Sequence, residues 1–325
     1  MFTYRPYGND SGNDETPSFT IGLKGLDPAN WIEPDESFAY QMAEKDRLFE
    51  TRYVDVFQAR ADTLAAQNEV LDQLWDYLPQ RHPEFYQTQN PQNVSAQADA
   101  AEIHLLPTNR HYCRNEWADA PLALAARLVQ DDLVLRREGQ KGYFLAAAAL
   151  CFPSSWSLKE KFNQPLDEIH QTVPGYADNL AQRLRRIFAN LQVERPVWRL
   201  NWSLYGGPDL FQWASDGRSY QRLDPVGDRV GHEQGNVEPS AMGRCFLRVE
   251  RQTLRRLPVS RDILFTIRVY HDPLSALETH MDGASIAAGL GKQLAGLDVA
   301  QLRYKGLEGH REELLTALDK IAVAV

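Results

Sequence analysis

The chain has 325 residues, enough for one large domain or two ordinary ones. It is 43% hydrophobic and 10% aromatic, which allows a sizeable core, and its net charge of −9 argues against a general binder of nucleic acid or anionic membranes. The first twenty residues are polar without a secretory pattern, and the longest apolar run, Tyr143 to Phe152, is too short to cross a bilayer, so a soluble cytoplasmic protein is expected.

Residues 1–20 read as a flexible arm, and Asp27 as the cap of a short helical turn holding Trp31. Amphipathic periodicity predicts helices over Phe38 to Gln58 and Ala61 to Tyr77, with Leu64, Val70, Leu71, Leu74 and Trp75 on a buried face. Pro79 and Pro83 are expected to stop the second of these. The polar stretch 87–100 reads as a surface loop, and Ala120 to Gln130 as a helix opened by Pro121. The period then changes. Asp132 to Arg137 and Tyr143 to Phe152 read as a strand hairpin turning through Gly139 and Gly142, the second strand apolar on both faces.

Cys151 to Tyr176, CFPSSWSLKEKFNQPLDEIHQTVPGY, interrupts the strands with short helical pieces. Pro165 suits the first helical position, Asp167 and Glu168 suit the first turn, and Thr172 to Gly175 ends the segment. Leu166, Ile169 and His170 are spaced i, i+3 and i+4, which places the imidazole on the apolar side. A histidine so placed is most often bonded to a backbone carbonyl; a neutral, dry and directed imidazole also has the chemistry of a haem ligand. A longer helix follows from Tyr176 to about Asn190, its inner face marked by Tyr176, Leu180, Leu184 and Ile187.

Strands return at Val197 to Leu204, Cys245 to Leu257 and Ile263 to Tyr270, and helices from Pro273 to the end. The stretch Tyr205 to Arg244 lacks a period, and a loop of that length suits a lid or a partner surface. Two strands, several short helices and three further strands is the order of a PAS-type sheet. The expectation is therefore α+β: a PAS-like antiparallel five-stranded sheet with ligand-bearing helices on one face, forming a single domain over 21–325. Helical extensions at about 28–130 and 273–325 would wrap it. Gly289-Leu290-Gly291-Lys292 lacks the spacing and the following Ser or Thr of a phosphate loop, and reads as a helix break.

Strand alternation puts Arg248, Glu250 and Gln252 on one face and Val249, Arg251 and Thr253 on the other. Charge meets the core either way, and buried charge must be paired. Arg255 and Arg256 read equally well as solvated charges at a sheet edge. Arg199 and Asn201 alternate with Trp198 and Trp202, which read as core, and Thr266 and Arg268 alternate in the last strand. His104 and His111 lack a further ligand in register, so no separate metal site is expected there; His271, His280 and His310 read as surface or helix-end residues.

The blocks 151–176, RPVWRLNWSL at 195–204 and FLRVERQTLRRLP at 246–258 resemble the haem-dependent oxidative N-demethylase alpha-subunit family, over about Gly22 to Lys305. The resemblance implies a PAS-like haem domain. It also implies oxygen-dependent removal of a methyl group from a small secondary amine such as dimethylamine, with formaldehyde as product. Electrons would come from NADPH through a separate flavin and iron–sulfur reductase subunit, and some members are linked to a folate-binding subunit. On this reading the haem is haem b, held non-covalently because no CxxCH is present, with His170 as ligand to the iron. Tyr176, Arg183, Arg186, Arg199 and Arg268 are the candidate cofactor-binding residues, with Arg248 to stabilise charge developing on oxygen and Glu250 to orient the amine and relay a proton. The alternative is a non-catalytic haem PAS sensor of gas or redox state, or a binding module.

Overall fold

In the computed structural model the described residues are 2–4, 22–88, 102–212 and 241–323. The 87–100 loop and the long loop after Tyr205 lie mostly outside them, as does most of the arm. Of that arm, Phe2 to Tyr4 dock on the body: Phe2 is buried, its N–H donates to Asp272 at 2.8 Å, and the Tyr4 hydroxyl donates to Glu33 at 2.5 Å.

The elements are β1 (Lys24–Gly25), α1 (Phe38–Thr51), α2 (Tyr53–Val56), β2 (Phe57–Ala59), α3 (Leu64–Arg81), β3 (Tyr86–Thr88), β4 (Glu102–Leu105), β5 (Arg110–Cys113) and α4 (Pro121–Ala126). They continue with β6 (Asp132–Gly139), β7 (Gly142–Ala149), α5 (Leu158–Lys161), α6 (Leu166–His170), a π-helical turn at Tyr176–Leu180, α7 (Ala181–Asn190) and β8 (Val197–Tyr205). After the long loop come α8 (Ala241–Arg244), β9 (Phe246–Arg256), β10 (Ile263–Pro273), α9 (Gly283–Ala295), α10 (Val299–Lys305) and α11 (Arg311–Val323).

The fold is α+β, and its main sheet is antiparallel with seven strands in the order β1-β8-β9-β10-β6-β7-β2. The five expected strands form its centre. The expected number is corrected by the two- and three-residue strands β1 and β2, which extend the edges. A separate sheet, β3-β4-β5, sits inside the extension read as helical. Helix α3 continues through Pro79, because in the last turn the ring forfeits a single backbone bond. The expected break at 289–292 is also corrected. These residues lie inside α9, where Gly291 faces Leu318 of α11; a Cβ there would stand 3.9 Å from Leu318 Cβ, an ordinary contact.

The strand faces set what lies where. On one face Trp202, Leu204, Leu247 and Val249 pack against the C-terminal helices, around Leu290, Leu294, Leu314 and Leu318. On the other, Tyr143, Leu254 and Ile263 pack against Leu166 of α6 and Phe188 of α7. The chain reaches this second face by pairing Asn163 to Pro165 along β7, through Asn163 N–H to Leu145 O (3.0 Å), Leu145 N–H to Gln164 O (3.2 Å) and a bridge between Phe144 and Pro165. Pro165 is thereby the extended cap of α6 rather than its first helical residue. Burying the sheet's centre also removes the edge reading of Arg255 and Arg256. Arg256 is 8% exposed and bonds to Leu191 O, Phe188 O, Arg261 O and the Tyr143 hydroxyl, while Arg255 lies 3.9 Å over the Trp31 ring.

Candidate functional site

Helix α6 is a little over one turn long, and that brevity fixes His170. Its Nδ1 lies 2.8 Å from Leu166 O, a carbonyl that can only accept, so Nδ1 carries the proton. In a neutral ring Nε2 is then bare. Nε2 has no hydrogen-bond partner among the described residues and is not sealed away from solvent. Burial, the main cause, pushes the His170 pKa down to about 4; Arg136, Arg199 and Lys161 push the same way, against the Leu166 bond. The ring is therefore neutral at physiological pH. Being bonded to a carbonyl and being available as a ligand are not alternatives here, since the Nδ1 bond is what fixes the tautomer and aims Nε2. Tyr176 stacks on the imidazole with centroids 5.7 Å apart and planes at 15°. Its hydroxyl donates to Asp167 at 2.6 Å, and Gly175 in the left-handed region (φ 71°) makes the turn that brings Tyr176 back.

The sheet face beneath carries charge. Glu250, 5% exposed, accepts from Arg248 Nε (3.2 Å), Gln252 (2.9 Å) and Asn201 (3.4 Å). Desolvation raises its pKa, but Arg248 and these donors outweigh it, so Glu250 stays below the usual carboxylate range and ionised. Arg248 is fully buried and also donates to Leu210 O (3.1 Å) and Phe152 O (2.5 Å). Three of its five N–H groups are thus committed. Arg199 stands opposite Gln252 on the neighbouring strand, on the same face as Glu250; burial lowers its pKa, the Glu250 charge raises it, and its buried Nε is unpartnered.

Of the residues singled out from sequence, His170, Tyr176, Arg199, Arg248 and Glu250 therefore share one side of the sheet. Arg183 and Arg186 lie on the exposed side of α7. Arg268 lies on the opposite face of the sheet, 2.7 Å from Asp35 and bonded to Gln41 (2.7 Å) and Val269 O (2.6 Å), because the pleat sends alternate residues of β10 to that side. Trp198 and Trp202 also face away, Trp202 buried beneath Lys305. His104 and His111 stack at 3.9 Å, and His111 meets Glu102; no group of three or more metal-ligating residues occurs among the described residues. His271 is not a simple surface residue: it bonds to Gly207 O at 2.9 Å, and burial lowers its pKa to about 4.

Sequence reading passed over Arg136, a 4% exposed arginine of β6 whose charge reaches His170. The signal was available in Leu133-Val134-Leu135-Arg136, where a cation continues an apolar run. Asn201 and Gln252 were seen only as face-mates; their amides hold Glu250.

A family model described as haem-dependent oxidative N-demethylase, alpha subunit-like, matches residues 22–315. The chain belongs to that family. Family membership makes the chain haem-dependent and oxidoreductase-like, and an alpha subunit belongs to an assembly of more than one subunit. The residues present fit a haem. His170 offers a neutral, oriented nitrogen, and the unpartnered buried atoms Arg136 Nη1 and Arg199 Nε suit a group carrying carboxylates. Among the described residues no helix is long and apolar enough to cross a membrane.

Proposed function

We propose that this chain holds haem b non-covalently through His170 and demethylates a small secondary amine such as dimethylamine, using O2 and two electrons. The primary amine, formaldehyde and water are the products. Electrons are taken from a separate NADPH-dependent flavin and iron–sulfur reductase subunit, and formaldehyde capture by a folate-binding subunit is compatible with this scheme. The reading is cytoplasmic and PAS-like. Its support is the spatial order of the five central strands, with the helical excursion between the second and third lying on one face.

The observation that carries the proposal is the pairing of a bare imidazole nitrogen with an ionised, buried carboxylate on one side of the sheet. Haem, when bound, supplies the oxygen activation and one-electron chemistry that side chains lack. Glu250 attracts and orients the protonated amine, and its carboxylate takes up a proton as the methyl group is oxidised. Arg248, Gln252 and Asn201 keep Glu250 in place and ionised. The two uncommitted N–H groups of Arg248 are the donors for negative charge developing on reduced oxygen.

The test is formaldehyde release by the haem-loaded chain with reductase, NADPH and dimethylamine, run beside Glu250→Gln. The variant should keep its Soret band and lose turnover by about 10²- to 10⁴-fold, the usual worth of a placed acid–base group. Equal release by the variant removes Glu250 from the reaction. A haem-loaded wild type that never forms formaldehyde supports the sensor reading instead.

A further inference from the structure

Among the buried strand arginines of the main sheet, Arg251 and Arg268 each keep an unpartnered Nε, but all except one make hydrogen bonds through the rest of the guanidinium. Arg248 has Glu250 and two carbonyls, Arg251 has Glu33 and the carbonyls of Asn30 and Trp31, Arg256 has three carbonyls and a hydroxyl, and Arg268 has Asp35, Gln41 and a carbonyl. Arg136 is 4% exposed and makes no hydrogen bond or ion pair among the described residues; its Nη1 is sealed without a partner. Burial alone lowers its pKa to about 10, with no carboxylate to offset it. A buried guanidinium left so is costly, and a fold keeps one where a missing anion completes it.

The place of that anion is set by the neighbours. Arg136 is paired with Ile263 of β10, whose side of the sheet packs against Leu166 of α6 and Phe188 of α7, so Arg136 lies under the segment that carries His170. Arg199 of β8 also opposes protonation of His170, but already feels the Glu250 charge. Arg183 and Arg186 are solvated, and exposed charge pairs contribute little. We propose that Arg136 is the buried counter-ion for a propionate carboxylate of the bound haem, so that this carboxylate points inward toward β6 rather than outward toward the exposed arginines of α7. The inference rests on the haem reading above and adds the orientation of the group.

The experiment titrates the apoprotein with haem and, separately, with haem whose propionates are methyl esters, following the Soret band for wild type, Arg136→Met and Arg136→Lys. Wild type should bind the free acid more tightly by about tenfold or more, a factor worth about 1.4 kcal/mol. Arg136→Met should lose that preference, binding acid and ester alike, and Arg136→Lys should recover part of it. Thermal unfolding of the apoprotein supplies an independent readout: Arg136→Met should melt no lower than wild type, since it removes an uncompensated charge. An Arg136→Met protein that keeps the wild-type preference, or that unfolds because Arg136 was structural, overturns the proposal, as does a wild type indifferent to esterification. A wild type with no Soret band for either compound defeats the haem reading itself, and the orientation falls with it.

Discussion

His170 shows how one residue carries opposing demands. Ligation needs a neutral imidazole, and neutrality comes from burial beside Arg136, Arg199 and Lys161, with the Leu166 carbonyl fixing the proton on Nδ1. The same environment makes the apoprotein sensitive to acid. Its folded pKa of about 4 lies below the value of about 6.5 for a free imidazole, so between these the unfolded chain binds more protons at this position. Stability from this residue is complete above pH ~6.5 and is lost as pH falls toward 4, at up to about 1.4 kcal/mol per pH unit. Asp132 works in the opposite direction, because burial lifts its carboxyl to about 6, and His271 works in the same direction as His170. The comparison that isolates His170 is urea unfolding of wild type and His170→Gln across this range. Wild type should lose more stability on acidification; identical pH profiles would mean the imidazole is solvated in the folded chain.

At the scale of elements, α6 depends on anchors well away from it. Asp132, fully buried at the start of β6, accepts the N–H groups of Cys151 and Phe152, both at 2.8 Å, and stands 3.8 Å from Lys45. These two residues begin the excursion that leads to α6, and Phe152 O in turn holds Arg248. Asp132→Ala orphans two buried donors and one partner of Lys45, so a loss of about 3–5 kcal/mol is expected in chemical denaturation. A loss below about 1 kcal/mol would show that this corner relaxes freely.

The five central strands were legible in sequence because each is long enough to display alternation, from Asp132 on β6 to Ile263 on β10. β1 and β2 were not: two or three residues have no period, and only their pairing to β8 and β7 defines them. His170 and the shared face of Arg248 and Glu250 were legible from local spacing. Sequence alternation alone leaves Arg268 a pocket candidate, because it groups residues by face without saying which face meets which helix. Arg136 was missed for the converse reason, since a charged residue near a hairpin end looks solvent-bound until α6 and α7 are laid over it.

For the whole molecule, a sheet carries C-terminal helices on one face and the His170 segment on the other, and the charges sort accordingly. Arg251 and Arg268 are neutralised by Glu33 and Asp35 on the first face, which is thereby structural. The second face keeps Glu250 ionised and leaves Arg136 without an acid among the described residues, the arrangement on which the proposed haem site rests. The most direct measurement is the absorption spectrum of haem-reconstituted wild type and His170→Gly, with and without added imidazole. Wild type should show a Soret band typical of a histidine ligand, His170→Gly should lose or shift it, and free imidazole should restore it. A His170→Gly protein with the wild-type band before any imidazole is added would contradict ligation by His170.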